Sequence, residues 1–170
     1  MQTTSIQLHT LPFRSVKTYT FSLVFILGNI LLPRLVHLIP QGGLTWLPIY
    51  FFTLVGAYMY GWKVGILTAL LSPVINSLLF GMPATEALPA ILVKSALLAS
   101  FAGVAASRFH KVSLPLLARV VLGYQMFGTL AEWALCGDFL LACRDFRIGL
   151  PGMLLQIFGG YVIIQALKKY

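Results

Sequence analysis

The sequence predicts an all-α, polytopic membrane protein, and three observations carry that prediction. Of its 170 residues, 59% are hydrophobic and only 9% charged, against roughly 25% charged in a soluble domain. The mean hydropathy is +0.90. The apolar residues fall into runs of about 20, the length that crosses a bilayer as a helix. A chain of this size reads as a single transmembrane domain spanning residues 1–170.

Six runs qualify, at about 19–39, 45–61, 62–80, 86–106, 114–135 and 148–167. The first ends in Pro33, Arg34 and His37. It is long enough to span, and no small-residue cleavage pattern follows it, so a cleavable leader is not expected. The second and third are nearly continuous. Tyr60-Gly61-Trp62-Lys63 between them predicts a tight reversal rather than one very long helix. The third holds Pro73 and Asn76, the fourth Pro89 and Lys94, the fifth Pro115 and the sixth Pro151. Proline is tolerated in a membrane helix when neighbours satisfy the freed carbonyl, and it often bends the helix.

Lys and Arg set the orientation. With the N-terminus inside, the inner segments carry Arg14, Lys17, Lys63, Arg108, Lys111, Lys168 and Lys169, and Arg119 lies near the same surface. The outer loops carry only Arg144 and Arg147, beside Asp138 and Asp145. Both termini are therefore expected to be cytoplasmic.

The net charge of +8 does not imply nucleic acid, because the basic residues lie between apolar runs and form no single patch. Metalloprotease, nucleophile-elbow and Walker A motifs are absent. Four scattered acidic residues are too few for most metal-holding membrane enzymes. The chain is expected to be no enzyme and to need no cofactor or metal. Cys136 and Cys143 match no metal spacing; an extracytoplasmic disulfide and two inert thiols both remain open. Small residues recur every fourth position at Ser95, Ala99, Gly103 and Ser107, and again at Ala57, Gly61 and Gly65. Such rows serve internal helix packing or the docking of a partner subunit.

Polar side chains gather in the outer half of the spans. Lys94 and Gln156 each lie roughly 12 Å from the outer ends of their helices. Gln125 is somewhat deeper, with Tyr124 beside it. Arg34, His37 and Asn76 lie closer to the outer surface, with Glu86 and Glu132 at helix ends. This asymmetry predicts a polar cavity open to the outside and not a continuous pore. Each residue also has a structural reading. Arg34 and His37 can snorkel to the interface, and Asn76 can satisfy the carbonyl freed by Pro73. Glu132 can bridge to Lys94, Arg34 or Arg147, and the glutamines can join helices. Trp46 and Trp133 belong to an aromatic belt or flank the cavity mouth as walls for a ring. Lys94 is hardest to place. A charge at bilayer depth costs roughly 2.5–3.5 kcal/mol on insertion scales, so it faces a partner or a cavity.

One stretch carries a family resemblance. GILTALLSPVINSLLFGMP, residues 65–83, resembles the third helix and following loop of the S components of energy-coupling factor (ECF) transporters. Its specific part is S-P-x-x-N-x-x-x-x-G-M-P, here Ser72, Pro73, Asn76, Gly81, Met82 and Pro83, followed by a proline-containing fourth helix. The resemblance implies a six-helix subunit that binds a vitamin or related micronutrient near the outer surface. Such a subunit delivers its substrate through a T subunit and two ATPases. It implies a site built from helices four to six and loops one, three and five. Substrate-binding candidates are then Lys94, Gln125, Gln156, Tyr124, Asn76, Arg34, Glu132, Trp46 and Trp133, with loops 40–45 and 81–87 as a lid. Two departures stand. The alanine pair that docks the T subunit in many relatives is missing from helix one, which offers Ser22 and Gly28. Relatives with G-M-P often carry Glu where Lys94 stands, and this sign change implies an acidic ligand. The alternative function is a non-transporting structural or assembly subunit of a membrane complex.

Overall fold

Proline and glycine punctuate the chain as their backbone preferences dictate. Pro89, Pro115 and Pro151 each sit in the first turn of a helix, where the missing N–H has no partner to lose. Gly81 and Gly137 close helices with φ of 66° and 72°, a conformation glycine adopts without steric cost. The computed structural model describes residues 4–5 and 11–167. Lys168 and Lys169, counted above among the inner cations, lie outside the described residues.

A two-residue strand β1 (Thr4–Ser5) precedes α1 (Val16–Val36). Then come α2 (Gly42–Trp46), a 3-10 turn (Pro48–Tyr50), α3 (Phe51–Tyr60), α4 (Trp62–Phe80) and α5 (Leu88–Phe109). Strand β2 (Lys111–Val112) pairs antiparallel with β1. The chain closes with α6 (Leu114–Cys136), α7 (Phe139–Ala142), α8 (Arg144–Ile148) and α9 (Leu150–Leu167).

Among the described residues five helices, α1, α4, α5, α6 and α9, are long and apolar enough to cross a membrane. They correspond to the first, third, fourth, fifth and sixth expected spans, so the chain is a multi-pass helical membrane protein. The second expected span, 45–61, is not one helix. Leu47 adopts φ 46° ahead of Pro48, which breaks it, and α3 keeps only 10 residues. At 1.5 Å per residue that is about 15 Å, half a hydrocarbon core. Irregular backbone at membrane depth is tolerated where protein surrounds it, and α3 is the central element. Leu54, Val55, Ala57 and Tyr58 are all fully buried, and α3 packs on α1, α4, α5 and α9.

The reversal between the second and third expected spans lies at Gly61, with φ 92°. Small residues bring α3, α4 and α5 together. A β-carbon on Gly65 would collide with Ala57, and one on Gly103 with the backbone of Trp62. Ser95 and Ala99 are likewise fully buried. Within these rows Ser95, Ala99, Gly103, Ala57, Gly61 and Gly65 thus serve packing inside the bundle, while Ser107 is exposed. The outward faces carry leucine and phenylalanine instead: Leu23, Leu27, Leu31 and Leu35 on α1, Phe127 and Leu130 on α6, Leu154 and Phe158 on α9. An apolar exterior of this kind suits lipid.

Candidate functional site

The C-terminal ends of α1, α4 and α6 meet the N-terminal ends of α5 and α9 at one end of the bundle. Two adjoining cavities of about 480 Å³ each open there. Gly43, Leu44, Ile49, Ala87 and Ile91 line both. The segments expected as a lid, 40–45 and 81–87, do contribute walls: the first through α2, the second through Met82, Pro83, Ala84 and Glu86.

Lys94 sits at the floor of this end, on the same α5 face as Ala87 and Ile91. Its ammonium donates to Glu132 Oε2 at 2.5 Å and to Asp145 Oδ2 at 2.7 Å. The Lys94 side chain is 1% exposed, and the carboxylates 20% and 18%. The bridge to Glu132 was one of the readings open in the sequence. Asp145 was assigned to the outer loop between the last two spans; it lies there on the short helix α8, with its carboxylate on the Lys94 ammonium. Four carboxylates in the whole chain and one membrane-buried lysine were the available signal, since the lysine needs a neutralising partner.

On α6, Gln125, Thr129 and Glu132 follow at i, i+4 and i+7 and therefore share one face. Gly128, one turn before Glu132, is the point where the Lys94 stem crosses. Beneath the ion triad the Tyr124 hydroxyl donates to Gln156 Oε1 at 3.0 Å, joining α6 to α9, with the Tyr50 ring 5.6 Å from that of Tyr124. Several buried polar atoms here have no protein partner. They are both side-chain heteroatoms of Gln125, Gln156 Nε2, and the hydroxyls of Tyr50, Ser95 and Thr129. Unpartnered buried amides and hydroxyls are costly, so such groups mark sites that water or ligand completes. Tyr50 was not singled out in the sequence, because its burial after the Leu47 break leaves no mark in the pattern.

Asn76 has a structural task. Its amide donates to Asn29 O at 2.9 Å and to Ser72 O at 3.0 Å. The Asn29 carbonyl is the one left without its helical donor by Pro33, four residues on. The expected partner, the carbonyl freed by Pro73, belongs to Ala69 and is not the acceptor. Asn29 in turn donates to Thr53 and Ser72 and accepts from the Phe52 amide. This network welds α1, α3 and α4 below the first cavity.

Arg34 lines the first cavity, with its guanidinium carbon 4.0 Å from the Phe80 ring centre. Trp46 and Trp133 line neither cavity. Trp133 is 45% exposed and packs edge-on against Phe139. It lies one residue beyond Glu132, about 100° around the helix, so it turns out as Glu132 turns in. Trp46 is 36% exposed at the end of α2, its backbone against Gly152. Leu44, Leu47, Ile49, Ile91, Leu135 and Leu141 form the apolar walls instead. Cys136 and Cys143 are both free thiols.

Fold and site together define a multi-pass helical membrane protein with a charged, partly enclosed cavity at one end. Compared with protein-family models, with curated proteins and with solved structures, the chain matches none.

Proposed function

We propose that this chain is the substrate-binding S subunit of an ECF-type importer, which captures a vitamin-like small molecule from outside a prokaryotic plasma membrane. On this reading the chain crosses the membrane six times with both termini cytoplasmic. The 3-10 turn and α3 form the second crossing, enclosed by the other helices. The chain itself catalyses nothing and needs no cofactor. Its partners are membrane lipid, a T subunit and two ATPases, to which it delivers the ligand.

The observation that carries the reading is the site beneath the lid segments. A cavity of about 480 Å³ suits a small molecule, and Tyr50, one of its lining residues, has a buried hydroxyl without a protein partner. The S-P-x-x-N and G-M-P residues support the reading from the sequence side. Ser72 and Asn76 brace α4 against α1 through Asn29, and Met82 and Pro83 line the first cavity. A binding subunit needs that rigid wall beside a movable loop.

One observation favours the structural-subunit reading. Lys94 is fully paired by Glu132 and Asp145 without any ligand, as interhelical glue would be. Co-expression with a T subunit and two ATPases separates the two. The importer reading expects a four-component complex that takes up one vitamin in an ATP-dependent manner. Assembly into a complex without ATPases and without uptake would favour the structural role.

A further inference from the structure

The charge of the cavity has the opposite sign to that of the chain. The protein carries 12 Lys and Arg against 4 Asp and Glu, a net +8. Yet Glu86, Glu132 and Asp145, three of those four carboxylates, line the second cavity. Arg144 in its wall and Lys94, which is bonded to two of them, oppose these three, which leaves one formal negative charge in this set. Arg144 makes no ion pair among the described residues, whereas Lys94 is held by two carboxylates at once. Lys94 therefore keeps one N–H, and its charge is already offset by two carboxylates. An acidic ligand at Lys94 would compete with both Glu132 and Asp145 and face their repulsion in a partly desolvated site.

We propose that the ligand is an organic cation with an apolar body. This rests on the binding-subunit reading above and replaces the acidic ligand suggested by Lys94 alone. Besides the carboxylates, one independent feature points to a ligand. Tyr50 lines the same cavity and is 2% exposed, and its buried hydroxyl has no protein hydrogen-bond partner. Its oxygen accepts an N–H from the cationic head or donates to a neighbouring heteroatom. Glu132 and Asp145 each use one oxygen on Lys94, and their second oxygens are free to receive a cation. Leu44, Leu47, Ile49 and Ile91 enclose an apolar body. A bare metal ion fits less well. Among the described residues no group of three or more His, Cys, Asp or Glu side chains is placed to hold one, and the walls are mostly aliphatic.

The test is equilibrium binding by calorimetry to the purified full chain in detergent, with probes graded by charge. Thiamine and pyridoxamine are the cations, pyridoxine and nicotinamide the neutral compounds, and nicotinate and pantothenate the anions. Binding confined to a cationic probe is expected. Two variants then locate it. Glu86 is exposed, so Glu86→Gln leaves the fold intact and weakens the cation about two- to fivefold, the range of one exposed charge contact. Tyr50→Phe deletes only an unpartnered hydroxyl. It is expected to leave the melting temperature unchanged or higher while weakening the cation about tenfold. Binding of a neutral or anionic probe instead overturns the cation assignment but keeps the binding-subunit reading. Cation binding unaltered by both variants also overturns it, by placing the ligand elsewhere. No binding by any probe to protein that melts cooperatively counts against both.

Discussion

Gly128 lacks a side chain where Lys94 crosses α6: a β-carbon there would lie 2.5 Å from Lys94 Cγ. The glycine is thus a slot for the lysine stem, and it lets the ammonium reach two carboxylates on different helices. Gly128→Ala is expected to push the stem aside and cost about 1–3 kcal/mol, as overpacking of a dense core does. Thermal unfolding in detergent measures this. A variant as stable as the wild type would mean that Lys94 is free to move.

Lys94→Met removes the cation and leaves Glu132 and Asp145 facing one another. Breaking a fully buried pair costs roughly 3–5 kcal/mol. Here the carboxylates keep 20% and 18% exposure, so a loss of about 2–3 kcal/mol is expected. Adding Glu132→Gln and Asp145→Asn should restore most of it, since the uncompensated charges are then gone. Unfolding free energies of the single, double and triple variants measure the coupling. Additive losses would show that the triad does not act as a unit.

Asn76 and Pro33 are coupled through one carbonyl. Asn76→Ala leaves the Asn29 oxygen without a donor and should destabilise by about 1–3 kcal/mol. Pro33→Ala supplies a backbone N–H to that same oxygen. In the Pro33→Ala background, Asn76→Ala should therefore cost clearly less, in the same unfolding assay. An equal cost in both backgrounds would assign the Asn76 effect to its bond with Ser72.

Cys136 is exposed and also lines the second cavity, which makes it a reporter of both topology and occupancy. In intact cells a membrane-impermeant maleimide should modify Cys136, and a bound ligand should slow that reaction. Labelling only after the cells are opened would reverse the proposed orientation.

Much of this architecture was legible because membrane helices announce themselves by length and apolarity. Gly61 gave away the reversal, since no other residue type makes φ 92° so readily. The break at Leu47 was hidden, because a buried irregular segment is as apolar as a spanning helix. At the site, depth arithmetic put Lys94 and Gln156 at one level with Gln125 slightly deeper, and it left Glu132 as one of the partners open to Lys94. Asp145 was missed because loop residues carry no periodicity that tells inward from outward. The same blindness put Trp133 at the cavity, although its neighbour Glu132 already claimed that face. Asn76 was read against Pro73 in its own helix, whereas the carbonyl it serves belongs to a proline-broken turn far away in sequence.

On the importer reading, the cavity beneath α2 and residues 81–87 holds a small molecule. Thermal unfolding of the full chain across a panel of water-soluble vitamins tests it most directly. One compound should raise the melting temperature, and the rise should grow with the logarithm of its concentration. At 100 times the dissociation constant the gain is about 2.7 kcal/mol. A cooperative melt that no compound shifts at any concentration would contradict the claim.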